Sequence, residues 1–391
     1  MRHERLVSLD VFRGLTVALM ILVNNPGSWA HIHPPLRHAA WHGLTPTDLV
    51  FPFFLFIVGV AVSLSFSRRV AAGARRGDLI RKIVSRSAII FSLGLFLNGF
   101  PFGIPLNASM AADFSLADVS GAWGSLRVPG VLQRIALCYL LAGLTVVLTR
   151  RTRNRALATG GFLVFYELLM RLPLVPGWGG GSFELADNFV RWVDVGLLGE
   201  AHLYKTGKIA FDPEGLVSTL PAVATTMLGF FAGEFIRSLR PLTEKLRWLG
   251  AWGAGVAMGG LVFCALEPVN KQLWTVSYVL LTGGLAMMML AASSWVMDVR
   301  RWRTGTMPMV VFGSNPLVAF VGSGLLARIL VLVQVTGAEG RVVSLKRWLY
   351  DEIFATVAGP VNGSFLFALT MVLLWLGILW VLFHRKIFIK I

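Results

Sequence analysis

The chain has 391 residues, 55% of them hydrophobic and only 14% charged, with a mean hydropathy of +0.70. A soluble domain charges about a quarter of its residues, so this composition excludes one and indicates an integral membrane protein. The net charge of +16 does not indicate nucleic acid, because the basic residues fall in short runs between apolar segments and not on one face interleaved with aromatics.

A spanning helix needs about 20 mostly apolar residues. Ten segments qualify, at about 9–28, 47–67, 83–102, 129–149, 156–175, 216–236, 248–267, 272–297, 307–334 and 363–383. With the N-terminus in the cytoplasm and sides alternating, 23 Lys and Arg fall in cytoplasmic segments and nine in outer ones. That bias predicts an all-α polytopic membrane helix bundle, a single domain over 1–391, with both termini cytoplasmic. The basic start, apolar stretch and Ser28-Trp29-Ala30 have the outline of a cleavable leader, but the segment reads as the first span.

In chain order, Asp10 and Arg13 lie three apart on span one and are expected to pair. The span ends in Asn24-Asn25-Pro26, whose amides suit either a helix cap or a substrate contact. A polar segment with His38, Trp41 and His42 follows, and Thr45-Pro46-Thr47-Asp48 has the form of a helix start: Thr at the N-cap, Pro at the first helical position, an acid in the first turn. The basic stretch Arg68–Lys82 reads as an anchor to anionic lipid. Cys138 and Cys264 both lie inside apolar segments, which reads as packing and not as a disulfide or a metal centre; no metal is expected.

Arg134 lies about a turn inside span four, where an unpaired arginine would cost at least ~2.5 kcal/mol, so a carboxylate or an anionic ligand is expected beside it. Glu167 and Arg171, four apart, are expected to satisfy each other. The long outer segment 176–215 carries a glycine run without the Lys-Ser/Thr ending of a phosphate loop. Its acids and its aromatics Trp178, Phe183, Trp192 and Tyr204 suit a lid over an outer chamber, or an ordinary connection. Gly255 and Gly259 have the spacing of a close helix contact. Leu266–Trp274 is a tight polar turn with Asn270 and Lys271. Gly313-Ser314-Asn315-Pro316 interrupts span nine, a break tolerated where backbone lines a cavity. Residues 341–356 pattern as an amphipathic surface helix. The absence of a convincing internal repeat disfavours inverted-repeat transporters.

Asn24, His38, Arg134, Asn270, Lys271 and Arg328 are thereby expected on the outer half of the bundle, and ionisable groups near membrane depth mark function. Histidine, with an unperturbed pKa of about 6.5, suits a general base at neutral pH. Asparagine and arginine suit an oxyanion or a phosphate. No serine nucleophile elbow and no poised acidic pair for glycoside hydrolysis is present. On these residues alone, acyl transfer and a transport site stay open.

The motifs Ser8–Gly14, Arg37–Phe56, Arg127–Arg134, Asp212–Gly215 and Pro268–Trp274, five in register over most of the chain, resemble the heparan-alpha-glucosaminide N-acetyltransferase family of transmembrane acyltransferases. The resemblance implies transfer of acetyl from cytosolic acetyl-CoA across the bilayer to the amine of a glucosamine-like amino sugar. It implies His38 as the active-site base or transient acetyl carrier and Asn24 as its catalytic partner. It further suggests Arg134, Asn270, Lys271, Ser314 and Asn315 as acetyl-CoA contacts, with Trp41, His42 and Asp48 on the acceptor side. It implies a bacterial member, in the inner membrane, without the extra lumenal region and first span of the animal enzymes, and leaves a homodimer open. The chain departs from the family at His42, where the animal enzymes have asparagine, and at Asn25-Pro26, which replaces part of a Tyr-Gly-Gly run. A sugar permease and O-acetylation of a periplasmic glycan are the alternative readings.

Overall fold

In the computed structural model, residues 6–71, 73–105, 115–172, 180–337 and 340–389 are described. They form α1 (Val7–Asn24), α2 (Val50–Ala71), α3 (Arg76–Gly99), α4 (Leu116–Gly124), α5 (Val131–Leu148), α6 (Thr152–Arg171) and α7 (Phe189–Leu198). There follow α8 (Thr219–Ile236), α9 (Leu242–Phe263), α10 (Val276–Ser294), α11 (Met307–Ser314), α12 (Pro316–Leu332), α13 (Leu345–Leu349) and α14 (Pro360–His384). Two short antiparallel hairpins, Lys205–Thr206 with Ile209–Ala210 and Gln334–Thr336 with Val342–Ser344, are the sheet found among these residues. The chain is an all-α membrane bundle.

Each of the ten expected spans carries a helix, but they are not equivalent. By length and composition α1, α2, α5, α8, α9, α10 and α14 can cross a membrane, and α11 with α12 makes an eighth, bent by 83°. That bend falls on Gly313–Pro316: proline at 316 has no N–H to continue the ladder, and Asn315 leaves the helical region at φ −133°, ψ 56°. α3 and α6 are long enough at 24 and 20 residues, but their first two turns carry Arg76, Arg81, Arg153 and Arg155. Arg76 donates to the carbonyls of Val147 and Leu148 and so caps the end of α5.

α2 is apolar all round because it is central. Phe51, Leu55 and Val62 pack with Leu132, Ile135 and Cys138 of α5, Val223 and Met227 of α8, and Trp274. Cys138 is buried in this layer and unpaired, and Cys264 is also free. Small residues set the closest approaches, as expected where lipid supplies no hydrophobic drive between helices. A Cβ on Gly59 would lie 1.8 Å from the Thr226 carbonyl oxygen, and one on Gly229 would lie 1.9 Å from that of Phe56, so α2 and α8 touch backbone to backbone. Gly14 of α1 meets the Met309 carbonyl of α11 in the same way, and Gly313 meets Asp10. The expected contact at Gly255 and Gly259 is overturned: neither has a neighbour within 4 Å. The face of α9 that meets α10 carries Gly253 and Gly260, one step round the helix, against Gly284 and Leu281.

The intervening segments are more structured than their composition suggests. Residues 115–125 form α4 behind a Ser115–Asp118 capping box, and 189–198 form α7 with Asn188 as N-cap. The expected surface helix at 341–356 is part strand, part helix and part wide turn over Tyr350–Ala355.

Candidate active site

The site is built from the loop after α1, the start of α2, the linker between α9 and α10, and the segment before α8. Thr45 is extended, at φ −113°, ψ 164°, and Pro46 opens a short turn that leads into α2. The Asp48 carboxylate closes the expected cap: Oδ2 accepts from the Thr45 N–H at 3.1 Å and its hydroxyl at 2.9 Å, and the Thr45 hydroxyl also reaches the Arg37 carbonyl. The same carboxylate reaches back to the loop, with Oδ2 accepting from the Ala39 N–H at 3.0 Å and Oδ1 lying 2.7 Å from His38 Nδ1. Asp48 is buried, and the Tyr278 hydroxyl holds its carbonyl oxygen at 2.6 Å.

Lys271 Nζ lies 2.9 Å from His38 Nδ1 and 3.3 Å from Asp48 Oδ1. One ring nitrogen cannot donate to Asp48 and accept from Lys271 at once. The shorter, charge-assisted contact decides: Nδ1 carries the proton and donates to Asp48, while Lys271 is the ion partner of that carboxylate. The lone pair is then on Nε2, which makes no hydrogen bond to a described residue. Burial lowers the Lys271 ammonium from its ordinary pKa, and the charges of Asp48 and Glu214 oppose that fall.

His38, Asp48 and Lys271 open on a cavity of about 380 Å³ whose other walls include Trp41, Arg127 and Glu214. Trp41 donates to the Phe183 carbonyl at 2.8 Å, and Gln272 donates to the Ala40 carbonyl at 3.2 Å, which fasten the histidine segment on both sides. Arg127 holds the far wall: it is bidentate to Asp212 at 2.7 and 2.8 Å, reaches Glu214 at 2.6 Å, and lies 5.1 Å over the Tyr204 ring. Burial works against the Arg127 charge, but Asp212 and Glu214 outweigh it and hold its pKa above the ordinary range. Asp194 accepts from the Leu216 N–H at 2.9 Å, and burial pushes its pKa up to about 7.

The expected site residues do not all converge. His38, Trp41, Asp48 and Lys271 share the cavity. Asn270 is buried beside it, accepting from the Leu273 N–H and donating to His42 Nδ1 at 3.2 Å. His42 Nε2 faces Glu184 at 3.4 Å, and neither residue is among those that line the cavity. Arg134 is fully buried and does not line it; its Nη2 donates to the Gly215 carbonyl and the Ser218 hydroxyl, its guanidinium lies over the Trp274 ring, and among the described residues its Nε and Nη1 have no hydrogen-bond partner, so the expected carboxylate is not in contact with it. Asn24 is exposed at the end of α1 and is not among the cavity-lining residues. Ser314 and Asn315 directly follow Gly313, which meets the Asp10 carbonyl, so they stand towards the opposite end of α1. The expected pairs Asp10–Arg13, at 3.5 Å, and Glu167–Arg171 both form. Of the expected lid, Tyr204 lines the cavity, Phe183 holds Trp41 through its carbonyl, Trp192 packs on Phe189 instead, and Trp178 lies outside the described residues. The roles of Arg127, Glu214 and Gln272 escaped the sequence reading, although all three lie inside motifs whose polar density marks them.

The model of the heparan-alpha-glucosaminide N-acetyltransferase catalytic region matches residues 5–260. The human heparan-alpha-glucosaminide N-acetyltransferase is 29% identical over 369 residues, covering 81% of this chain and 52% of that protein. The mouse protein of the same name is 27% identical over 438 residues, covering 99% of this chain and 61% of that protein. The chain thus spans between half and two thirds of the length of these relatives. The family match takes in His38, Asp48, Arg127 and Glu214 together with α1, α2, α5, α8 and most of α9, and the chain belongs to the heparan-alpha-glucosaminide N-acetyltransferase family.

Proposed function

We propose that the protein transfers acetyl from acetyl-CoA to the amine of a glucosamine-like amino sugar, with His38 as general base. The observation that carries this reading is the His38–Asp48 contact at 2.7 Å, on the wall of a cavity of about 380 Å³. Asp48 fixes the tautomer that leaves the Nε2 lone pair for the substrate, and it steadies the imidazolium formed when that nitrogen takes a proton. The amine nitrogen attacks the thioester carbonyl, His38 Nε2 accepts the amine proton, the C–S bond breaks, and that proton leaves with the thiol. Lys271, paired to the same carboxylate, balances the charge of the dyad as it changes. Asn24 is proposed as an oxyanion donor on the family resemblance, and Trp41 and His42 as the acceptor side. Arg134 and Asn270 act as the frame that holds the cavity walls, and Ser314 and Asn315 as donor contacts at the far end of α1.

The bias of basic residues puts both chain ends and the Asn315 end of the bundle in the cytoplasm, and the His38 cavity outside. With a bacterial origin, the membrane is the inner one. The donor then enters from the cytoplasmic end and the acceptor from the outer cavity.

Purified protein with labelled acetyl-CoA and glucosamine tests the reading. The expected result is N-acetylglucosamine, with turnover lowered about 10²–10⁴-fold in His38→Ala, the range one general base supplies. Acetylation of hydroxyls with the amine untouched, or sugar movement into vesicles without acetyl-CoA, would replace it with the O-acetylation or the permease reading.

A further inference from the structure

Asn315 is fully buried at the α11–α12 break, yet its side chain serves neither helix. The carbonyls freed by the break have other donors: Ser314 Oγ takes that of Val311 at 2.7 Å, and Arg13 takes that of Gly313 at 3.4 Å. Both groups of the Asn315 amide go instead to the segment that follows α14. Its Nδ2 donates to the Ile387 carbonyl at 2.9 Å, and its Oδ1 accepts from the Ile389 N–H at 2.9 Å.

That segment is brought back by a turn at the end of α14. Lys386 adopts φ +56°, its N–H donates to the Phe383 carbonyl at 3.0 Å, and the Ile387 N–H donates to the Leu382 carbonyl at 2.9 Å. This pattern closes a helix with a left-handed residue, a position that favours glycine and is strained with lysine. The docked residues gain little from burial, since Ile387, Phe388 and Ile389 are 43%, 41% and 52% exposed. Two amide hydrogen bonds and the Phe388–Phe383 ring contact therefore hold a strained turn, as in an element of low local stability that opens on its own.

We propose that residues 385–389 are a strap latched on Asn315 that closes the α11–α12 break, and that acetyl-CoA displaces it. The inference rests on the reading that the donor enters at this end of the bundle. Arg385 and Lys386 place two cationic side chains on the strap, and a donor rich in phosphate offers them anionic partners that the latch does not. Once the strap leaves, the Asn315 amide has a free donor and a free acceptor. Tail and coenzyme are then exclusive partners of one side chain.

Hydrogen exchange of the 383–389 amides in the full chain tests this, with donor binding followed in parallel by equilibrium dialysis of labelled acetyl-CoA. The expected result is modest but measurable protection at Ile389 in the free protein, lost on coenzyme binding so that exchange there is at least tenfold faster. Ile389→Pro removes the latching N–H; it is expected to lower the KM for acetyl-CoA two- to tenfold with kcat unchanged, because a closed state no longer withholds the site. Bound coenzyme with unchanged exchange at Ile389, or an Ile389→Pro enzyme with unaltered KM, would overturn the strap alone. Failure of the wild-type protein to bind acetyl-CoA at all would overturn the donor reading, and the strap's purpose with it.

Discussion

At His38 an imidazole and an ammonium meet one carboxylate, and the order of the distances settles the proton. Asp48 Oδ1 at 2.7 Å takes the Nδ1 proton, so Asp48→Asn offers an amide that can donate to Nδ1 and favours the opposite tautomer. The expected outcome is a fall of kcat by about 10²-fold or more with the acceptor KM little changed, because the histidine stays in place with its lone pair misdirected. Circular dichroism checks that the helix start survives the loss of charge. A second residue reads out in pH. The Asp194 pKa is raised from 3.8 to about 7 in the folded protein by burial. A raised carboxyl binds its proton more tightly when folded, so the stability it contributes is complete below pH 3.8 and is lost as pH rises through about 7. Thermal midpoints in detergent are expected to fall by a few degrees between pH 5 and pH 8 in the wild type, and by less in Asp194→Asn. Single-residue chemistry was legible in the sequence where a motif held it, as with Thr45–Asp48 and the His38 segment. Arg134 shows the limit: its cost in the membrane is readable, but the groups its guanidinium meets, the Gly215 carbonyl, the Ser218 hydroxyl and the Trp274 ring, come from segments far along the chain.

At the scale of elements, helix identity came through and helix contacts did not. Apolar length marks a span because lipid acts on the whole segment, whereas a contact depends on which face is turned inward. Gly255 and Gly259 have the right spacing on the wrong face of α9, whereas Gly229 and Gly233 have the same spacing on the face of α8 that meets α2, and spacing alone does not tell the two pairs apart. The difference is measurable. Gly59→Val must push α2 off the Thr226 carbonyl and is expected to destabilise by about 1–3 kcal/mol or more, seen as a lower midpoint in detergent and reduced yield. Gly255→Val meets nothing within 4 Å and is expected to leave the midpoint unchanged. The proline break at 316 was legible because its cause is local: a missing N–H. α4 and α7 were not, since nine- and ten-residue helices in polar segments give a short periodic signal.

For the whole molecule, the organising fact is that α1 joins two differently equipped ends. Its first half packs on α11 beside the Asn315 latch, and the loop after its last residue carries His38 into the cavity. An α-helix of 18 residues is about 27 Å long, close to the hydrocarbon thickness of a bilayer, so the two ends face different compartments. The charge census then predicts sidedness: a cysteine placed at Lys208 is expected to react with an impermeant maleimide on intact cells, and one at Arg240 only after lysis. Reversed labelling would invert the assignment of donor and acceptor ends. The central claim, acetyl passed through the bundle to an amine at His38, is tested most directly in proteoliposomes of uniform orientation. Labelled acetyl-CoA is supplied on the face of the chain termini and glucosamine on the face of the His38 cavity. Labelled N-acetylglucosamine is expected on the cavity side with the wild type and none with His38→Ala. Product formed only when donor and acceptor share one face, or formed equally by His38→Ala, would contradict it.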